Sequence, residues 1–184
     1  MLRGPVAKSL RDATAELHRE AERHVRILDP DATEATYTRY LEKMFGFHAA
    51  CEHAFSIPFA DRIKSRLIAD DLVELGGVAE PLAVIPQMRS RSYELGCAYV
   101  LEGSTLGGAF ILAKMPSQRA TRFLRGYGER TGEMWRSFCA ELETAEDPQE
   151  TVAGARDTFT ALIAWLDEPA REPPHPFKGL ALER

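Results

Sequence analysis

The chain reads as an all-α protein, a single-domain multi-helix bundle. Three observations predict this. Apolar residues recur at three- and four-residue steps through most of its 184 residues. Proline and glycine clusters interrupt that rhythm where helices would end. No stretch alternates apolar and polar residues as a half-buried strand does, and no internal repeat or long linker divides the chain. A chain of this length suits one domain and buries a real core. Residues 1–168 are the expected helical domain. Pro169, Pro173, Pro174 and Pro176 forbid helix beyond it, so 169–184 is expected to be an extended tail.

Pro5 or Ser9 starts the first helix, and Leu10, Ala13, Leu17 and Ala21 form its apolar stripe. His18 stands on the margin of that stripe, with Arg11 two turns earlier on the same side. Asp29-Pro30-Asp31 is a turn, and Asp31 with Glu34 reads as a capping box. The second helix carries Tyr37, Tyr40, Leu41, Met44, Phe45, His48, Cys51 and Phe55 at helical spacing, and Ser56-Ile57-Pro58 ends it. Asp61 to Leu75 is a charged helix or two short pieces, closed by Gly76-Gly77. Glu80-Pro81 and Ile85-Pro86 bracket a short segment. Ser90 or Ser92 caps a glycine-rich helix that Pro116 ends. Ser117 to Leu124 is a short helix before a Gly126–Gly128 break. Glu129 to Leu142 follows, with Met134, Trp135, Phe138 and Leu142 inside. Asp147-Pro148 opens the last helix, where Val152, Phe159, Leu162, Ile163 and Leu166 face the core.

The glycine-rich helix, GCAYVLEGSTLGGAFILAK from Gly96 to Lys114, stands out. Leu95, Tyr99, Leu106, Phe110 and Ala113 give it a greasy stripe, yet it contains Gly96, Gly103, Gly107 and Gly108. Each glycine costs a helix interior roughly 1 kcal/mol relative to alanine. Gly96, Gly103 and Gly107 are seven and four apart, so they share a face with Val100 and Ser104 beside them. That bare backbone serves either close helix packing or a flat ligand lying on the helix. A bend is expected at Gly107-Gly108.

Net charge is −5, which does not indicate a nucleic-acid partner. Cys51, Cys97 and Cys139 are odd in number and lack metal-ligand spacing, as in a reduced, cytoplasmic protein with structural thiols. The N-terminus turns charged at once and lacks the apolar core of a signal peptide. No run approaches the ~18 apolar residues of a membrane span. There is no Gly-rich phosphate loop, no HExxH and no GxSxG. Carboxylates are scattered over polar helix faces and read as solvated. Among the histidines, His48 reads as a satisfied core residue and His24 as exposed, while His53 is near a helix end and His175 lies in the tail. His18, on its own, reads as a boundary residue.

Leu10 to Glu22, LRDATAELHREAE, resembles the first block of the haem oxygenase family, L-[KR]-x-A-T-x-x-x-H-x-x-A-E, at Leu10, Arg11, Ala13, Thr14, His18, Ala21 and Glu22. Gly103, Gly107 and Gly108 reproduce the G-x-x-x-G-G core of that family's distal helix, about 85 residues further on. The resemblance implies a bundle with haem between the first helix and a kinked glycine-rich distal helix. It implies His18 as proximal ligand of the haem iron and Gly103, Ser104, Gly107 and Gly108 as the distal catalytic backbone over O₂. Arg11 matches the family's basic residue seven positions before the ligand. Arg136 corresponds to a later Tyr-Arg pair, here Trp135-Arg136, and both arginines would hold the propionates. Tyr99 and Phe159 join them as expected haem contacts. Animal-type members carry an aspartate where Ser104 stands. The wording VLEGSTLGG looks more like the bacterial branch that supplies biliverdin to phytochromes.

The resemblance therefore implies haem, as both cofactor and substrate, oxidised by O₂ to biliverdin, CO and iron. No flavin, nicotinamide or iron–sulfur motif appears, so electrons would come from an external donor, a ferredoxin or flavin reductase. A phytochrome is an implied acceptor of biliverdin. A non-enzymatic haem carrier or sensor, and a helical interaction protein whose glycines only pack helices, are the rival readings.

Overall fold

The structure is a computed structural model, and it describes residues 4–79, 81–115 and 119–169. These form seven α-helices: α1 (Pro5–His24), α2 (Glu34–Ala54), α3 (Ser65–Leu75), α4 (Arg91–Leu112), α5 (Arg122–Arg125), α6 (Thr131–Leu142) and α7 (Pro148–Asp167). Single 3₁₀ turns stand at Arg26–Leu28, Ala60–Arg62 and Gly128–Arg130, and no strand occurs among the described residues. Apart from Pro169, the expected proline-rich tail lies outside them.

Helix ends follow local chemistry in most places. Pro5 takes the first position of α1, where its missing N–H costs nothing. Gly4 offers no cap, and the Glu143 carboxylate at the end of α6 accepts from the N–H groups of Val6 and Ala7 at 3.2 and 3.0 Å instead. The capping box of α2 is Thr33 with Thr36, two residues beyond the expected Asp31. Gly76, at φ 69°, closes α3 in the left-handed region that glycine enters without steric penalty. Ser90 caps α4 by accepting from the Tyr93 N–H at 3.1 Å. Ser92 instead accepts from the Asp147 N–H at 3.1 Å, tying the start of α4 to the start of α7. The short helix expected from Ser117 is only the four residues of α5, with 116–118 outside the described residues. Asp147 caps α7 as expected, accepting from the N–H groups of Gln149 and Glu150.

The core sits where α4 and α7 meet. Gly96 of α4 lies against the Thr151 carbonyl and the Ala155 N–H of α7, and Gly154 of α7 lies against the Tyr93 carbonyl. Glycine on both helices lets the two backbones touch. α1 runs parallel to α7 on the other side: Arg156 donates to the Ala13 carbonyl at 3.0 Å, the His18 and Phe159 rings meet at 5.8 Å, and His24 faces Asp167 at 3.9 Å. His24 is thus partly covered and not fully exposed. α2 closes the bundle, with Trp165 donating to the Lys43 carbonyl and Lys43 donating back to the Trp165 carbonyl.

By length and composition α4 would pass as a membrane span. Half of its most apolar window is buried, and it carries two buried carboxylates, Glu94 and Glu102, that are fully hydrogen-bonded inside the protein. It is the packed central helix of a bundle.

Candidate functional site

α4 divides at its middle. Leu95, Cys97, Ala98 and Leu101 are buried, whereas Leu106 and Phe110 on the same expected stripe are 43% and 58% exposed. The four glycines divide with it. Gly96 is a packing glycine against α7. Gly108 is another: a Cβ there would meet the Leu124 carbonyl oxygen at 2.7 Å, so it presses against α5 and does not front the open strip. Gly103 and Gly107 have nothing within 4 Å of where a Cβ would stand. The expected shared face of Gly96, Gly103 and Gly107 is therefore one covered position and two open ones. With Leu106 and Phe110, the open pair makes a strip of bare backbone flanked by apolar side chains. All four glycines keep helical φ, and α4 stays helical through them.

Tyr99, one turn before Gly103, leads to the histidine. Burial first, then contact with Thr14, shapes its phenol, and Arg11 and Asp12 are close enough to be felt by it. Thr14 and Arg11 belong to α1, and one turn beyond Thr14 stands His18. Tyr99 also meets Trp135 of α6 at 6.0 Å. So α1, α4 and α6 converge at Tyr99, with Arg136 next to Trp135 and exposed. Arg11 is exposed and paired with Asp12 at 3.2 Å.

His18 has a half-exposed side chain (56%), wedged edge-on against the buried ring of Phe159. Its Nδ1 faces Glu22 Oε1 at 3.4 Å, one turn on. With Nδ1 turned to Glu22, Nε2 is the ring nitrogen left available to bind a metal. Ala21 is buried behind it. Ser104 donates its hydroxyl to the Leu101 carbonyl at 2.6 Å. Its oxygen keeps lone pairs to accept from water, but its proton is committed to the backbone.

His48 is the satisfied core histidine expected: 1% exposed, 3.3 Å from Glu52 and edge-on to Phe123. Burial lowers its pKa. The three cysteines are buried, and burial pushes the Cys97 thiol up to about 12, so no thiolate nucleophile forms at neutral pH. Among the described residues no cluster of His, Cys, Asp and Glu could hold a metal ion by itself. A groove of about 470 Å³ between Val84–Pro86 and α7 is lined by Asp157, Thr160, Ala161 and Ala164, on the opposite face of α7 from Phe159. It holds no histidine and is separate from the strip.

The largest omission of the sequence reading is a set of buried acids. Glu102, 1% exposed, accepts from Arg62 Nη1 at 2.7 Å, Lys64 Nζ at 2.6 Å and the Tyr127 hydroxyl at 2.6 Å. Asp71 accepts the N–H groups of Arg122 and Phe123. These carboxylates are not solvated, because each serves as the partner for buried donors from a distant part of the chain. A signal for Glu102 existed: it lies four residues after Ala98 and seven after Leu95, on the buried side of α4.

The described residues thus present an exposed imidazole on α1 and a strip of bare helix backbone with exposed apolar side chains on α4. The family model described as "Heme oxygenase" matches residues 4–168, and the chain belongs to that family of haem-degrading enzymes, for which haem is substrate and prosthetic group at once. It is similar in structure to the NO- and CO-bound heme oxygenase of Neisseria meningitidis, at 24% identity over 88% of this chain and 89% of that one, with a TM-score of 0.71. It is also similar to the heme oxygenase of Leptospira interrogans, at 16% identity over 88% and 98%, with a TM-score of 0.70. No curated protein sequence matches it.

Proposed function

We propose that haem lies between α1 and the open strip of α4, with His18 Nε2 as its proximal ligand and the Gly103 and Gly107 backbone over its other face. The observation that carries this is the empty space at those two glycines, beside exposed Leu106 and Phe110. A flat apolar ring fits such a cradle, and a side chain at either position would fill it.

Bound there, the haem supplies the iron at which O₂ is reduced. The protein's own residues do the rest. Glu22, facing Nδ1 at 3.4 Å, would orient the imidazole so that Nε2 turns to the iron. Phe159 sets the tilt of the imidazole by its edge-on contact. Tyr99 and Trp135 wall the side of the cleft where α1, α4 and α6 meet. Arg11 and Arg136, both exposed, supply the charge for the propionates. The glycine backbone leaves room for O₂ but offers it no side chain. Ser104, donating to the Leu101 carbonyl, keeps lone pairs that would accept from water and carries no charge itself. Gly108 acts at one remove, by letting α5 close on α4.

On this reading the products are biliverdin, CO and iron, the electrons come from an external ferredoxin or flavin reductase, and a phytochrome of the same cell takes up biliverdin. Three buried free thiols support a cytoplasmic setting. The test is haem with ascorbate in air, followed by absorption. The haem bands should fade as biliverdin absorption grows. A haem spectrum that stays intact under reductant would make the protein a carrier.

A further inference from the structure

Resting on the site just proposed, we propose that Glu102 is the positioning residue of the distal wall: its three-way clamp fixes where the Gly103–Gly107 backbone stands over the cleft.

The first half of α4 is held by α7 through Gly96 and Gly154. The second half is open on the Leu106–Phe110 side, so its height is set from behind. Two contacts do this. Gly108 rests on the Leu124 backbone, and Glu102, the residue before Gly103, is gripped from two directions. Arg62 and Lys64 reach it from the α2–α3 connection and Tyr127 from the α5–α6 connection. Lys64 Nζ is also 3.2 Å from the Tyr127 hydroxyl and 3.5 Å from the Arg62 carbonyl, and its N–H donates to Glu52 Oε1 at 2.8 Å. Arg62 Nη1 further donates to the Met134 carbonyl at 3.2 Å, so the same cluster fixes α6 beside Trp135 and Arg136. A buried ion cluster of this kind is commonly no more stabilising than apolar packing of equal volume. What it adds here is geometry: short, directional bonds at one point of a helix whose other side must stay empty. A reacting centre is sensitive to displacements of an ångström.

The experiment compares Glu102→Gln and Tyr127→Phe with wild type. Glutamine keeps the shape and loses the charge, and phenylalanine removes one of the three bonds. Hydrogen exchange of the haem-free proteins is read helix by helix, together with haem affinity and biliverdin formed per bound haem. In Glu102→Gln, amides of 101–112 should exchange about tenfold faster while those of α7 stay at wild-type rates. Haem should bind with wild-type affinity, and biliverdin formation should fall about 10- to 100-fold. Tyr127→Phe should move both readouts the same way by less. Faster exchange spread over all helices with normal turnover per folded molecule would make Glu102 merely structural and overturn the proposal, as would no change in either readout. If Glu102→Gln does not fold, Tyr127→Phe decides by the same criteria. Wild type that neither binds nor converts haem would overturn the site itself, and would show in the control before any variant is compared.

Discussion

A side chain placed at Gly96 would collide with the Thr151 carbonyl oxygen and come within 2.8 Å of the Ala155 nitrogen. At Gly103 it would meet nothing. Gly96→Ala should therefore destabilise by about 1–3 kcal/mol, the usual cost of overpacking a core contact, with normal turnover in the folded fraction. Gly103→Leu should hold or raise the melting temperature, since leucine is the better helix former by up to about 1 kcal/mol, yet block biliverdin formation. Thermal melts and biliverdin yields on both variants settle it, and Gly103→Leu with undiminished turnover would remove that glycine from the cleft. His18→Ala should fold normally, because its side chain is half exposed. It should lose the histidine-ligated haem spectrum, and wild-type binding and turnover in that variant would hand the ligand role to another histidine.

At the scale of one helix, α2 carries a pH-sensitive pair. His48 is buried beside Glu52, with Lys64 and Glu102 near enough to act on it. Burial, the largest cause, holds its pKa below 6.5 despite the pull of Glu52. An unfolded chain binds that proton from about pH 6.5 downward and the native state does not. Stability is thus intact above pH 6.5 and falls as the pH drops below it, by up to ~1.4 kcal/mol per unit until the native imidazole protonates. Burial alone would raise the Glu52 pKa, but His48, the Ser65 side chain and the Lys64 N–H hold it low. Its stabilisation is present above the unfolded value and fades at lower pH still, through the native pKa. Urea melts between pH 7 and 5 should show the decline in wild type. His48→Gln, which keeps a donor for Glu52, should flatten it, and an unchanged slope in that variant would assign the titration elsewhere.

For the whole molecule, haem at the proposed site would be a ligand of the native state alone, since α1, α4 and α6 meet at Tyr99 only in the folded chain. Haem at 100 times its dissociation constant should stabilise by about 2.7 kcal/mol. In a protein of this size that is a rise of roughly 5–11 °C in melting temperature. The rise should be absent in His18→Ala at the same haem concentration if axial ligation dominates binding. An equal rise in both proteins would show that the ring is held by its apolar faces and propionates instead.

What the amino-acid sequence determined by itself was most of what is set within a few residues, the α2 capping box at Thr33 and Thr36 excepted. Helices α1, α2, α4 and α7 follow from apolar periodicity, and the caps at Ser90 and Asp147 from side chains that reach their own backbone. His18 stood out as a candidate through its block and the glycines through their accumulated helix cost. Tertiary structure alone decided which glycines are covered, because the atoms that cover Gly96 and Gly108 belong to Thr151, Ala155 and Leu124, far along the chain. It also decided which acids are buried. Glu143 caps a helix 137 residues away, and Glu102 meets cations 40 and 38 residues earlier. A carboxylate on an amphipathic helix looks the same in sequence whether water or a remote donor solvates it, and only the packing of helices supplies the donor.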